Sequence, residues 1–350
     1  MNRLRIVMAM LLSSIPVLAQ AETAFERLLQ AEVAKIPARV GLYVKHLGTG
    51  EIASIRSDEI FSSQSTRKIP IMVLAFQSAD QGTLDLDERV QVRRSDFRTG
   101  TGVLQYHDPG TLLTVRDLIT QMIITSDNTA THLVIEKLGG RDRVNQWLAD
   151  NRYVTRTTWG NVEVARNTFS MLGAAFANAT DEEITALEFL RTNNPQFDRY
   201  TGLFTGAKQA LVDAVKSNSA KLADSVWNRN PDDEAYWTGR TSPREIGNFL
   251  EAIGQGTAVS AKRSLEMKNI LLRQQLGKRR ISHFLDVPVA HKTGDGATVA
   301  NDVGLVYARL APIVISFFAM AITGPYAETE DQIGRISKMI VDYFDGARSK

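Results

Sequence analysis

A serine alcohol is inert at neutral pH unless a neighbouring base takes its proton, and Ser65-Thr66-Arg67-Lys68 is the one Ser-x-x-Lys in this chain. With Ser65 at a helix start, Lys68 lies one turn on and on the same face, so its amine reaches the hydroxyl, and the helix N-terminus favours developing negative charge. Alone the pattern is weak: about one match arises by chance in a chain of this composition, and Lys68 is then a solvated helix lysine. Ser126-Asp127-Asn128 offers a second hydroxyl to relay a proton to a leaving nitrogen and an amide to hold a substrate amide, although the same residue types also make an ordinary helix cap. Lys292-Thr293-Gly294 follows the strand-like run Val287–His291; a cation, a hydroxyl and a glycine at a strand edge suit an anionic substrate whose backbone lies close. Each tripeptide is expected roughly 0.1 times by chance, so the signal is their conjunction in this order.

The elements that must position these groups can be read from periodicity. Phe25, Leu28, Leu29, Val33 and Ile36 recur at helical spacing before Pro37, and Val40, Leu42 and Val44 alternate in a strand that Gly48-Thr49-Gly50 turns into a second, Glu51–Ser57. At the other end, strand-like runs at Val287–His291, Asp302–Arg309 and Pro312–Thr323 precede a helix whose Ile333, Ile336, Ile340, Tyr343 and Phe344 share a face. Five strands and two terminal helices thus predict one sheet built from both chain ends. The middle reads as helices: Ile69–Gln77, a capping box Thr114–Asp117 opening Leu118–Thr125, and Thr129–Leu138 before Gly139-Gly140. Residues 171–238 differ in texture, with a capped helix from Thr180 through Leu190, a polar Asn193-Asn194-Pro195 and a further helix near Ala207–Val215.

Composition excludes several chemistries. There is no cysteine, which removes thiol nucleophiles, disulfides and Cys-type metal sites, and 41 basic against 39 acidic residues are too balanced for nucleic-acid tracking. No His/acid cluster has metal-ligand spacing and no Gly-x-Ser-x-Gly is present, so neither a metal hydrolase nor a Ser-His-Asp esterase is expected. Arg3 and Arg5, an apolar run and Ala19-Gln20-Ala21 make residues 1–21 an export signal, the apolar run being shorter than the ~20 residues of a bilayer span. A periplasmic or secreted protein, with no membrane attachment after cleavage, is expected. Both excess arginines belong to that segment.

Ser65…Lys68, Ser126-Asp127-Asn128 and Lys292-Thr293-Gly294 together resemble the three motifs of class A β-lactamases and penicillin-binding proteins. The stretch from Gly102 through Leu138 and the Thr241-Ser242-Pro243-Arg244 segment resemble the same family, so the likeness covers most of residues 24–346. It implies an α/β (α+β) fold: a five-stranded antiparallel sheet flanked by helices, from residues 22–60 and 245–350, and an inserted helical lobe, 61–244, with the cleft between them. It implies no cofactor and no metal. Ser65 would be acylated with Lys68 as its base, Ser126 would pass a proton to the departing amine, Asn128 would bind the substrate's amide, and Lys292, Thr293 and Gly294 would line its carboxylate. The N–H groups of Ser65 and Asp295 would form the oxyanion hole, with Tyr106 a gate on the cleft. Glu163-Val-Ala-Arg-Asn167 fits the family's Glu and Asn that hold the deacylating water, 37 residues past Ser126; the flanking residues lack the usual Glu-Pro-Glu-Leu texture.

Two departures stand out. Asp295 replaces a small or hydroxyl residue and would repel an anionic substrate unless paired; Arg280 either supplies that pairing, binds the substrate carboxylate itself or belongs to a solvated basic turn, Lys278-Arg279-Arg280. Between Glu163 and Thr241 the chain carries an insertion of about 60 residues, expected to cover the cleft, dock a protein partner or pack on the helical lobe. A β-lactamase opening small β-lactams through a Ser65 acyl-enzyme is the first expectation. The alternatives are a D,D-peptidase acting on peptidoglycan stem peptides with slow deacylation, or a non-catalytic binding protein of the same fold.

Overall fold

The computed structural model describes residues 23–158, 161–222 and 233–346; the expected export segment lies outside the described residues. Strands β1 (Arg39–His46) and β2 (Ile52–Ile55) come from the N-terminal end. The helical middle carries four short strands in chain order, β3 (Phe61–Ser62), β4 (Arg89–Gln91), β5 (Leu112–Thr114) and β6 (Arg156–Thr157), and β7 (Gly239–Thr241) closes it. The C-terminal end supplies β8 (Val289–Gly296), β9 (Val299–Val306) and β10 (Ile313–Met320). The main sheet runs β2-β1-β10-β9-β8, all pairs antiparallel, so the two chain ends do meet in one five-stranded sheet.

Alternation decides which face of this sheet meets which layer. On β1 and β10, Val40, Leu42, Val44, Ile313, Ile315, Phe317 and Ala319 pack into one core, and Tyr43, Val314, Phe318 and Met320 into the other. The first core is closed by Phe25, Leu29 and Val33 of α1 (Ala24–Val33) and by Ile333, Ile336, Ile340 and Phe344 of the C-terminal helix, Tyr326–Asp345. The second is continuous with the helical lobe. There α2 (Lys68–Asp80) is buried along most of its length, with α3 (Val115–Ile124), α4 (Asn128–Lys137) and α5 (Arg141–Asp150) packed in sequence beyond it. With both faces covered, the central strands read as continuous apolar runs.

Two of the shifts in expected strand boundaries matter for the site. The run Val287–His291 was to end before Lys292, yet β8 continues through Lys292-Thr293-Gly294 to Gly296, because Thr293 pairs with Asp302 and Gly294 with Asn301 of β9. For the same reason β9 begins at Val299, three residues before the expected Asp302, with a tight turn after Gly296. The motif therefore lies inside an edge strand with one side unpaired.

After α6 (Asn161–Ser170), the inserted segment forms α7 (Asp181–Arg191), a 3₁₀ run Pro195–Leu203 and α8 (Gln209–Ser217). Thr180 and Glu183 close a capping box at the start of α7, as its sequence predicts. The segment packs on the helical lobe: Phe189 stacks on Tyr200 at 5.7 Å, and the buried Tyr200 donates its hydroxyl to the Arg94 carbonyl at 3.1 Å. Arg94 binds Glu182 at 2.7 Å, and Arg199 donates to the His107 carbonyl at 2.6 Å and to Asp108 at 2.8 Å. Truncating Tyr200 to alanine therefore removes part of the common core and is expected to cost about 3–5 kcal/mol, read as a lower urea midpoint for the whole chain. An unchanged midpoint would show the segment to fold apart from the lobe.

Candidate active site

The chain enters the site at a 3₁₀ turn, Gln64–Arg67, that runs directly into α2 and places Ser65 one turn before Lys68. Gln64 holds φ 45° and Ser126, in the turn between α3 and α4, holds φ 55°. Neither is a glycine, and such conformations persist only where surrounding contacts over-determine them. At Gln64 the support is a bond from its amide to Ser62 Oγ at 3.1 Å and one from Thr238 Oγ1 at 3.4 Å. At Ser126 it is the 98–106 loop. Thr101 donates to the Ser126 carbonyl at 2.6 Å, the Asn128 amide donates to the Thr99 carbonyl at 2.8 Å, and Asp127 accepts from Ala130 N and Leu104 N, each at 2.8 Å. Gly102 (φ +102°) lies under Asp127, where a Cβ would come within 2.3 Å of the Asp127 Cα.

Two lysines meet at this turn. Lys68 Nζ donates to the Ser126 carbonyl at 2.8 Å, to Ser126 Oγ at 3.1 Å and to Asn128 Oδ1 at 3.0 Å. From the sheet side Lys292 Nζ donates to the same Ser126 Oγ at 3.0 Å and to the Thr293 carbonyl at 2.9 Å. Both lysines are wholly buried. Burial pushes the Lys68 amine well below the ordinary lysine range, and the charges of Lys292 and Arg67 push it further, against weaker opposition from Asp127 and Asp295. Burial likewise brings Lys292 down to about 7, with Asp295 and Asp302 holding it up. The Ser65 hydroxyl, partly exposed, makes no hydrogen bond among the described residues. The direct Ser65–Lys68 contact expected from the spacing is thus absent, because the hydrogen bonds of the Lys68 amine all run to the 126–128 segment.

The motif on β8 lies against the nucleophile turn. A Cβ on Gly294 would sit 2.9 Å from the Ser63 carbonyl oxygen and 3.1 Å from Gln64 Cβ, so only glycine lets the strand approach this closely. Thr293 is buried with its hydroxyl unpartnered. Asn301 donates to the Ser62 carbonyl at 2.9 Å, which fixes β9 to the same turn.

Arg280 is neither a solvated residue nor a free cation. Its side chain is 1% exposed and is enclosed by Asp295, by Glu330 at 3.1 Å, by the Asn301 carbonyl at 2.8 Å and by the Tyr326 hydroxyl at 3.1 Å. Of the expected readings, the pairing with Asp295 is the one this geometry displays; Arg279, by contrast, bridges to Asp331 on the surface. Tyr106 is exposed at the end of a 3₁₀ turn, Leu104–Tyr106, in the loop that Arg199 grips.

Glu163 and Asn167 lie one turn apart on α6 but reach different partners. The Glu163 carboxylate faces Arg141 Nη1 at 3.4 Å and raises the pKa of Arg67, while the Asn167 amide donates to the Ala235 carbonyl at 2.7 Å. Lys68 makes its hydrogen bonds elsewhere. Arg67, inside the Ser-x-x-Lys motif but unremarked in the sequence, is buried with its Nη1 on Thr157 Oγ1 and its Nε unpartnered; burial lowers its pKa to about 10. A charged residue immediately before an apolar helix was its only sequence signal. The buried His291–Asp302 pair (2.8 Å) had none, since it depends on strand register.

An antiparallel sheet, a helical lobe and two buried lysines around a serine hydroxyl define the two-lobed active-site-serine fold. The chain belongs to the β-lactamase enzyme family, whose model matches residues 23–344. A β-lactamase of Rhodobacter capsulatus is 36% identical over 131 residues, 36% of this chain and 44% of that protein, and β-lactamase CARB-3 of Pseudomonas aeruginosa is 20% identical over 88% of this chain and 86% of its own. The chain thus spans under half the length of the first of these relatives. Among solved structures, an ancestral class A β-lactamase superposes with TM-score 0.67 at 21% identity, covering 91% of this chain and all of the other. A mutant of PBP-A in acyl-enzyme complex with penicillin G superposes with TM-score 0.65 at 22% identity, covering 92% and 96%. At those identities the superpositions speak to the fold.

Gly294→Ala tests the close approach of β8. Its methyl group must displace the Ser63–Gln64 backbone, and the expected result is a loss of about 10²-fold in the rate at which a fluorescent penicillin labels the protein, as for loss of one oxyanion donor, with the melting temperature little changed.

Proposed function

We propose that this protein is a serine acyl-transfer hydrolase of β-lactams, working through an acyl-enzyme on Ser65. The observation that carries the reading is the convergence of Lys68 and Lys292 on Ser126 Oγ beside the Ser65 turn. Burial and the neighbouring Lys292 and Arg67 favour the uncharged Lys68 amine, which keeps two N–H donors, takes the Ser126 hydroxyl on its lone pair and can release that lone pair to serve as base. Rotation of that amine from Asn128 toward Ser65, when substrate takes its place on the Asn128 amide, makes it the base for attack. The N–H groups of Ser65 and Asp295 receive the tetrahedral oxyanion. Ser126, already in contact with both lysines, returns the proton to the departing nitrogen.

Hydrolysis then needs a base for water, and Glu163 is assigned that role with Asn167 beside it. One observation favours a second reading, a D,D-peptidase that acylates and releases slowly: the Glu163 carboxylate is engaged by Arg141 and not by Lys68. The arginine-led, apolar first 21 residues support action outside the cytoplasm.

Stopped-flow and steady-state measurements with a chromogenic cephalosporin separate the readings. Turnover following the acylation burst is the expected result; a burst with no turnover favours the peptidase. Ser65→Ala should abolish covalent labelling, and Glu163→Ala should leave labelling intact while slowing release by about 10²–10⁴-fold, the usual contribution of a general base. Full turnover in Glu163→Ala would place the base elsewhere.

A further inference from the structure

The loop that fixes the Ser126 turn has little stiffness of its own. Within it Gly100 and Gly102 both take left-handed backbone, φ 94° and 102°, a conformation that glycine enters and leaves at little cost. The loop belongs to an excursion of the chain from β4 to β5, whose pairing closes the base. Further out, its two ends are joined by consecutive residues of the inserted segment. The Tyr200 hydroxyl donates to the Arg94 carbonyl at 3.1 Å, and Arg199 Nη1 donates to the His107 carbonyl at 2.6 Å. Arg94 Nη1 returns a bond to the Arg199 carbonyl at 3.3 Å, and Arg94 Nε reaches Glu182, in the first turn of α7, at 2.7 Å. Tyr200 is anchored in turn, buried against Phe189. On its inner side the loop bonds to the turn: the Thr101 hydroxyl donates to the Ser126 carbonyl, the Thr101 carbonyl accepts from Asn128 N at 3.1 Å, and Leu104 N donates to Asp127. The left-handed φ of Ser126 lasts only while such contacts enforce it.

We infer that Arg199 is a positioning residue for acyl transfer: with Tyr200 it staples the two ends of the 94–107 loop, and through Thr101 and Leu104 the staple holds Ser126 where the proton relay needs it. The effect on rate rests on the Ser65 acyl-enzyme reading; the hold on the turn does not. Ser126 Oγ lies between Lys68 and Lys292 and gives its proton to the departing nitrogen, so a loosened turn slows bond breaking. The opposite wall, where Gly294 of β8 lies against the Ser63–Gln64 backbone, has no contact with the staple and keeps its share of substrate binding. Loss of the staple therefore lowers the rate of the chemical step more than it weakens binding. Of the two bonds Arg199 makes to the loop, the one to Asp108 pairs it with a carboxylate that is 89% exposed and screened by water, so the carbonyl bond carries the hold.

Two measurements on the full chain test this. The acylation burst with a chromogenic cephalosporin, followed over a range of concentrations, separates the limiting rate from the half-saturating concentration, and hydrogen–deuterium exchange of the unliganded protein reads the loop itself. In Arg199→Ala the limiting rate is expected to fall about tenfold, with half-saturation within about twofold, as for a displaced catalytic group. Peptides covering 98–106 and 126–128 should exchange faster than in the wild type, and peptides of the main sheet should not. Arg199→Lys keeps a donor for the His107 carbonyl and should recover most of the rate and the protection, while Asp108→Ala should match the wild type in both. Tyr200→Phe keeps the packed ring and loses only the bond to the Arg94 carbonyl; it guards against a folding defect at 199 and should move rate and exchange in the same direction. Wild-type rate and exchange in both Arg199→Ala and Tyr200→Phe, a loss confined to half-saturation, or faster exchange spread evenly over the chain would overturn the inference. No acylation of the wild type would remove the acyl-enzyme reading; faster exchange at 126–128 in Arg199→Ala would then still support the staple, and unchanged exchange would remove it as well.

Discussion

Two lysine side chains buried against one serine hydroxyl, with no carboxylate among their hydrogen-bond partners, set the terms for the rest of this structure. Taking an ammonium out of water costs several kcal/mol unless its protons are satisfied and its charge is compensated, and here the hydrogen bonds are supplied while the compensation is incomplete. The cost is reduced by releasing protons. Because Lys292 falls to about 7 from an ordinary 10.5, the unfolded chain binds protons that the folded one has given up, so folding gains stability as pH rises through that window and loses it as pH falls toward 7. What the fold receives for this cost is a base and a proton relay that function near neutrality.

Holding such a cluster requires rigid walls on every side. The sheet supplies one through Gly294, which lets β8 lie against the Ser65 turn. The 98–106 loop supplies another, with Thr101 and Thr99 fixing Ser126 and Asn128. The chain on either side of that loop is held by the inserted segment, through Arg94 to Glu182 and Arg199 to the His107 carbonyl. The insertion is therefore continuous in its contacts with the wall of the site, and its return passes Thr238 beside Gln64.

The sheet and the helical lobe were legible in the sequence because both depend on local periodicity and capping, as with Thr114–Asp117 and the alternation in β1. The strand limits around Lys292 were not, because Thr293 and Gly294 are polar or small and join β8 only through pairing with β9. Ser65, Lys68, Ser126 and Lys292 were legible as a motif set, and the structure brings the last three into direct contact. Arg67, Glu330, Tyr326 and the His291–Asp302 pair were not, since each acts through a partner distant in sequence. Arg280 illustrates the limit: composition marks it as one of three residues in a basic turn, and only the fold shows that it is enclosed by two carboxylates.

For Lys68 to act as the base, its amine must stand neutral in the resting protein. NMR titration of isotopically labelled lysine side chains, with Lys68 and Lys292 assigned through single substitutions to arginine, measures this directly. Lys68 is expected to be an uncharged amine at pH 7.5 and Lys292 to titrate near 7. A Lys68 ammonium that keeps its proton above pH 9 would contradict it.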